Sequence, residues 1–243
     1  MPSFFCPSAK IKGDKIVIED KMQVRHIKKS LRLKIDDEVT VFNEKQEGFR
    51  CLITSLGEEV TVKIKAKLKP DNVSGPNITV ACAIPKKAKF DEIVDKLAQL
   101  GVDRIVPLFT ERVIVKLEQS KENAKRERWQ KIAKAAVEQS QGIRIPLIDV
   151  PKSIDDVLHD SGEFDLKLIP TLDGKRKSLK EIFQKESPAR VLVLIGPEGD
   201  FSPQEVRRAK DSGFIPVTLG SSVLRVDTAA IAVVSFIKLH EDS

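Results

Sequence analysis

The hydrophobic period of this chain changes once, near residue 70, and no single uniform architecture satisfies both parts. From Lys15 to Leu68 the segments KIVIE, EVTVFN, FRCLITSL and EVTVKIKAKL alternate apolar and polar side chains. Alternate side chains share one face of a strand, so this pattern predicts strands buried on one side only. NEKQEG between two of them predicts a hairpin loop, and KMQVRHIKKSLRLK predicts a short basic helix. The expected product is a small β-barrel or sandwich over residues 1–70. KPDNVSGPN, residues 69–77, has the prolines, glycine and polar residues of a linker.

From about residue 75 the pattern is different. Strands ITVACAIP, RIVPLF, IPLIDV, FDLKLI, VLVLI and FIPVTLG are separated by helical KFDEIVDKLAQLG, ENAKRERWQKIAKAAVEQS, a short helix near Ile154–Leu158, KSLKEIFQK and a helix after Ser202. DTAAIAVVSFIKLHE forms a carboxyl-terminal helix. Strands alternating with helices predict a mostly parallel α/β domain over residues 75–243. Trp129 lies on the same helix face as Ile132, Ala133, Ala136 and Val137, which points to packing and not to base stacking.

The 243 residues carry 42 Lys and Arg against 36 Asp and Glu, a net charge of +6. Residues 1–69 hold 15 of the cations and 10 of the anions, so most of the surplus lies in the β module. Such a surplus fits a polyanion partner, whose counterions each Lys or Arg would release, and equally a solvated lysine-rich face. Cys6, Cys51 and Cys82 are far apart and odd in number, so reduced, packed thiols are expected. His26, His159 and His240 are dispersed, and no metal site is expected. No apolar run is long enough to span a bilayer and MPSFFCPSAK lacks a secretion signal's apolar core, so no membrane partner and a cytoplasmic location are expected.

Two loops of the second domain invite chemistry. VLVLI, a continuous apolar run, predicts a strand covered on both faces, and it breaks into Gly-Pro-Glu-Gly at residues 196–199. Ser202, Pro203 and Glu205 then form a capping box that starts a helix. GPEG is therefore a strand-to-helix loop at the carboxyl edge of a sheet, where open α/β sheets bind ligands. Gly196 and Gly199 permit a positive φ or a close backbone approach. After the next strand, SSVLRVD sets Arg225 and Asp227 among apolar residues, with Asp227 expected as the N-cap of the last helix. The two loops are expected to converge on one pocket. G-x-G-x-x-G, the P-loop, G-x-S-x-G and H-E-x-x-H are all absent, so a small-ligand site without a phosphate cradle is the reading the residues support.

LIGPEGDFSPQE at 194–205 and LGSSVLRVDTAA at 219–230 resemble the signature of the SPOUT methyltransferases, and within them the RsmE family. KLAQLGVDRIVPLFTERVIVK, AVEQS and HIKKSLRLK extend the resemblance in the family's order over nearly the whole chain. It implies a PUA-like RNA-binding β-barrel followed by a SPOUT domain with a trefoil knot, a rare exception to unknotted topology. It also implies a homodimer, the cofactor S-adenosyl-L-methionine (SAM), and methylation of N3 of a uridine in small-subunit 16S ribosomal RNA, free or in the assembled subunit. Carried onto this chain, Leu172, Gly196, Glu198, Gly199, Leu219, Gly220, Leu224 and Arg225 become cofactor-binding candidates. Arg25, His26, Lys28, Lys29, Arg32 and Arg144 become RNA-binding candidates, Arg112 matches a family arginine near the active site, and Gln139 lies in the matching EQS segment. Asp200 stands where the family usually has glycine, Asp227 where it has glutamate, and Gly142 where it commonly has arginine.

A uridine N3 must lose its proton for its lone pair to reach a methyl group, so the site must accept that proton or stabilise charge on the uracil oxygens. Arg225 or Arg112 is the candidate for charge stabilisation, and Asp227 or Glu198 for orientation or proton acceptance. Arg225 and Asp227 also admit a purely structural ion pair, and Glu198 a helix-terminus charge. A catalytically inactive RNA-binding protein and a related methyltransferase with another RNA target are the rival functions.

Overall fold

The computed structural model describes residues 1–68, 75–85, 90–112, 119–172 and 174–241, without the side chains of 119–121 and 241. Most of the expected linker, residues 69–74, lies outside the described residues. The chain divides into two compact units, Met1–Val73 with Lys134–Ile145, and Ser74–Ala133 with Pro146–Ser243. The first unit is thus discontinuous in sequence, a grouping that linear reading did not anticipate.

The first unit is built on a half-barrel sheet of β1 (Ser3–Phe5), β2 (Ile11–Lys12), β3 (Lys15–Ile18), β4 (Glu38–Phe42), β5 (Gly48–Leu56) and β6 (Val60–Leu68). Their order is β1-β4-β5-β6-β3-β2. Alternation reveals the four longer strands, whereas β1 and β2 are too short to show a period. The β4–β5 loop is fixed by Asn43, whose side-chain oxygen accepts from the amides of Lys45 and Glu47, each at 3.0 Å. Ile16, Ile18, Val39, Val41, Ile53 and Val62 fill the core. Helix α1 (Lys21–Arg25) is capped by Asp20, which accepts from the amides of Met22 and Gln23, and it continues as a π-helical turn over His26–Ser30. Ile27 anchors this turn in the core, while the side chains around it stay in solvent. Within the unit, Glu138 accepts from the Phe5 amide at 3.1 Å and from Gln23 Nε2 at 2.7 Å.

The second unit carries a parallel sheet. Its strands are β7 (Asn77–Ala83), β8 (Arg104–Phe109), β9 (Leu147–Ile148), β10 (Lys152–Ser153), β11 (Leu166–Pro170), β12 (Lys177–Ser178), β13 (Arg190–Ile195) and β14 (Ile215–Thr218). The order is β10-β8-β7-β13-β11-β14-β12, with β9 also on β8. IPLIDV yields only β9, because β9 and β10 share one edge of β8 in succession, pairing Arg104 with Leu147 and Leu108 with Lys152. Between the strands lie α2 (Phe90–Gln99), α3 (Gln119–Gln139), α4 (Ile154–His159), α5 (Leu179–Phe183), α6 (Pro203–Asp211) and α7 (Val226–Glu241). Gly101, at φ 70°, follows α2 as the sequence predicts. The continuous apolar run of β13 is buried from Val191 to Ile195, with β7 on one side and β11 on the other. Trp129 is buried against Phe90, ring centroids 4.6 Å apart, and its indole nitrogen donates to Asp91 at 3.0 Å. Its expected packing role holds.

Candidate functional site

Parallel strands place all their carboxyl ends on one edge of the sheet, so the loops that leave neighbouring strands must meet there. β13, β11 and β14 are consecutive in the sheet. The loops after them, starting at Gly196, Thr171 and Leu219, line a common cleft, and concave sites where neighbouring loops meet are where small organic ligands bind. The expected convergence of the two signature loops is therefore realised, but with β11 between their strands. A third loop thereby joins the wall.

Leu172, Gly196, Glu198, Leu219, Gly220 and Leu224 all line this cleft. Gly199 and Arg225 do not lie among its lining residues. Gly199 is turned instead to Arg112, whose Nη1 donates to its carbonyl oxygen. Arg225 is exposed immediately before α7, and its carbonyl accepts from the Ala229 amide at 2.8 Å. Neither Gly196 nor Gly199 has a positive φ; in this loop the left-handed residue is Asp200, at φ 62°. What Gly196 supplies is closeness, since a Cβ there would stand 3.1 Å from the Phe201 ring. Gly220 is the glycine whose conformation is demanding, with φ 120° and open space where a Cβ would project.

Asp227 is not the N-cap of the last helix. α7 begins one residue earlier, at buried Val226, and the Asp227 carboxylate accepts from the next amide, that of Thr228, at 2.9 Å. The structural Arg225–Asp227 ion pair is not formed among the described residues. Asp227 and Glu198 nevertheless act on one group. The Cys82 thiol, near the end of β7, is raised by burial first and then by the negative charges of Asp227 and Glu198.

The Arg112 segment is held by a buried carboxylate. Glu205 is fully buried, yet its oxygens accept from the amides of Glu111 at 2.9 Å and Ser202 at 2.7 Å. The predicted capping box of α6 is thus present, and its glutamate also ties down the residue before Arg112. Of the TERV segment, Val113 lies outside the described residues.

The RNA-binding candidates all belong to the first unit. Arg25, His26, Lys28, Lys29 and Arg32 are exposed on or just after the helical turn, and Arg144 is half-buried. Lys28 donates to the Gly57 carbonyl at 3.0 Å, and His26 stands edge-on to Phe4 with centroids 6.4 Å apart. Gln139 ends α3 in the same unit. Among the described residues no group of three His, Cys, Asp or Glu gathers as metal ligands would, and no helix is long and apolar enough to cross a membrane.

The RNA methyltransferase domain family matches residues 73–238, and the RNA methyltransferase PUA domain family matches residues 12–65. Ribosomal RNA small subunit methyltransferase E of Mesomycoplasma hyopneumoniae is 30% identical over 90% of this chain and 92% of its own length. The chain belongs to this family. The Bacillus subtilis member is 27% identical over 90% of this chain and 88% of its own. The solved family member from Neisseria gonorrhoeae, bound to SAM, is 28% identical and superposes with a TM-score of 0.85 over 99% of this chain and 98% of its own. A Legionella pneumophila protein solved with SAM bound is 30% identical, with a TM-score of 0.81 over 98% of this chain and 97% of its own. The family resemblance read from the two signature loops is therefore correct.

Among the cleft residues that sequence reasoning missed are Asp200, Arg176, Val223 and Thr171. Arg176 lies in a plain basic run, KRK, and Val223 is 69% exposed. No periodicity marks either position. Thr171 could have been found from its place, since it follows a predicted strand on the edge that carries the other two loops.

Proposed function

We propose that this chain transfers a methyl group from SAM to N3 of a uridine in small-subunit 16S ribosomal RNA. The observation that carries the reading is the single cleft lined by three loops at the carboxyl edge of β13, β11 and β14, in a member of an RNA methyltransferase family. Its residues suit an adenosyl ligand. Leu172, Val223 and Leu224 offer apolar surface, and Gly220 leaves backbone groups uncovered. SAM when bound supplies a methyl group on a positively charged sulfur. The protein must hold that group in line with the uracil nitrogen, and most of the rate gain is expected from this alignment.

Leu172, Gly196, Glu198, Leu219, Gly220 and Leu224 form the cofactor wall in this proposal, with Gly199 and Arg225 supporting it from its margins. Arg112 is engaged with the Gly199 carbonyl, which suits it to fixing the GPEG loop. Arg225 is then the better candidate for charge developing on the uracil oxygens. Glu198 lines the cleft and is the candidate proton acceptor, while Asp227 steadies the first turn of α7.

The PUA-like unit is proposed to grip RNA phosphates through Arg25, His26, Lys28, Lys29, Arg32 and Arg144. The proposal includes a SPOUT domain over residues 75–243 after a PUA-like domain over 1–70, a trefoil knot in its last segments, a homodimer, and action in the cytoplasm on ribosomal RNA or the assembled small subunit. No membrane and no metal takes part.

The test is incubation of the protein with small-subunit RNA and SAM, followed by mass spectrometry and reverse transcription. A methyl group on a uridine that stops the transcriptase is expected, because N3 lies on the pairing edge. A methyl elsewhere on the nucleotide would overturn the N3 assignment. Calorimetry with SAM should show binding that Leu224→Glu weakens about tenfold or more by charging an apolar wall. RNA affinity without any SAM binding would favour an inactive RNA-binding protein.

A further inference from the structure

Asp200, which lines the cleft, pairs an unusual backbone conformation with a carboxylate bonded to another loop. Its φ of 62° places a residue with a side chain in the left-handed region, which aspartate tolerates better than most but still enters at a cost. Its carboxylate reaches across to the neighbouring loop. Oδ2 accepts from Thr171 Oγ1 at 3.0 Å and from the Leu172 amide at 2.8 Å, while Oδ1 accepts from the Phe201 amide at 2.8 Å. One carboxylate therefore staples the loop after β13 to the loop after β11, strands that are adjacent in the sheet.

Leu172 needs such a staple. Its side chain is 52% exposed, so apolar burial does little to fix it, and the hydrogen bond to its amide decides where it stands. From the other side Arg176 Nη1 donates to the Thr171 carbonyl at 3.2 Å. Hydrogen bonds to a charged acceptor are the stronger kind, and three donors already satisfy the Asp200 oxygens.

We infer that Asp200 is a positioning residue that sets cofactor affinity by fixing Thr171 and Leu172 as one wall of the cleft. The inference rests on the SAM reading above. Its left-handed backbone is what aims the carboxylate at β11, so conformation and hydrogen bonding form a single device.

Asp200→Gly separates the device from the fold, because glycine keeps the backbone conformation and removes only the carboxylate. The expected result is SAM binding weakened about tenfold, KM for SAM raised with kcat at saturation retained, and faster hydrogen exchange at the Leu172 amide. Thr171→Val should give part of the loss, and adding it to Asp200→Gly should cost little more. Asp200→Asn, which keeps an acceptor, should recover part of the affinity. A parent that binds SAM and an Asp200→Gly variant that binds it equally well would overturn the inference. A parent that does not bind SAM would overturn the cofactor reading itself, and this role with it.

Discussion

A methyl group added at Gly196 would sit 3.1 Å from two ring carbons of Phe201, a residue only 3% exposed and part of the core beneath α6. The ring cannot yield without disturbing its neighbours, and overpacking of this kind costs about 1–3 kcal/mol. Gly196→Ala is expected to lower the unfolding free energy by that amount, read as a lower urea midpoint at unchanged slope, and to weaken SAM binding at the same time. The three thiols make a prediction about pH. Burial pushes Cys6 up to about 11 and Cys51 up to about 12, from an ordinary value near 9. A group that holds its proton more tightly when folded contributes stability that is complete below its unfolded pKa and is lost as pH rises through its folded pKa. Unfolding free energy should therefore fall as pH rises from about 9 towards 11 and above. The fall should be shallower in Cys51→Ala. The packed thiols were legible in the sequence, but which use Gly196 has was not: it serves ring packing and not a positive φ, and that depends on Phe201 folding back over it.

The helical turn that follows α1 shows how an element carries a surface. Ile27 is fully buried, and the helix start is pinned by Asp20, so the exposed cations around Ile27 are presented by a fixed backbone. If they meet phosphates, each neutralised charge releases counterions. Lys29→Gln should weaken binding to unrelated RNA sequences by a similar factor and reduce the salt slope by about one. A slope that does not change would remove Lys29 from the interface. Elements of this size were legible where they had a period. The four long strands of the first unit and the capping box of α6 were readable from spacing alone, because alternation and caps are local. β1, β2, β10 and β12 were not, since two or three residues owe their strand conformation to the partner strand and not to their own pattern.

At the scale of the molecule, function is expected where three strand ends meet, and that meeting is set by strand order. The sequence by itself determined the two architectures, from the change of hydrophobic period. It also determined the family, from two signature loops in order, and six of the residues that line the cleft. It could not determine that β11 inserts between β13 and β14, because strand order depends on which buried faces cover one another. Nor could it determine that Lys134–Ile145 joins the first unit, since a helix carries no mark of where its neighbours will be. The part played by Asp200 was hidden for the same reason. Its donors, Thr171 and Leu172, are nearly thirty residues away in the chain and are brought within hydrogen-bond reach only by β11 lying beside β13. Periodicity and caps are short-range and can be read along the chain, whereas a hydrogen bond between loops exists only after the sheet has chosen its order.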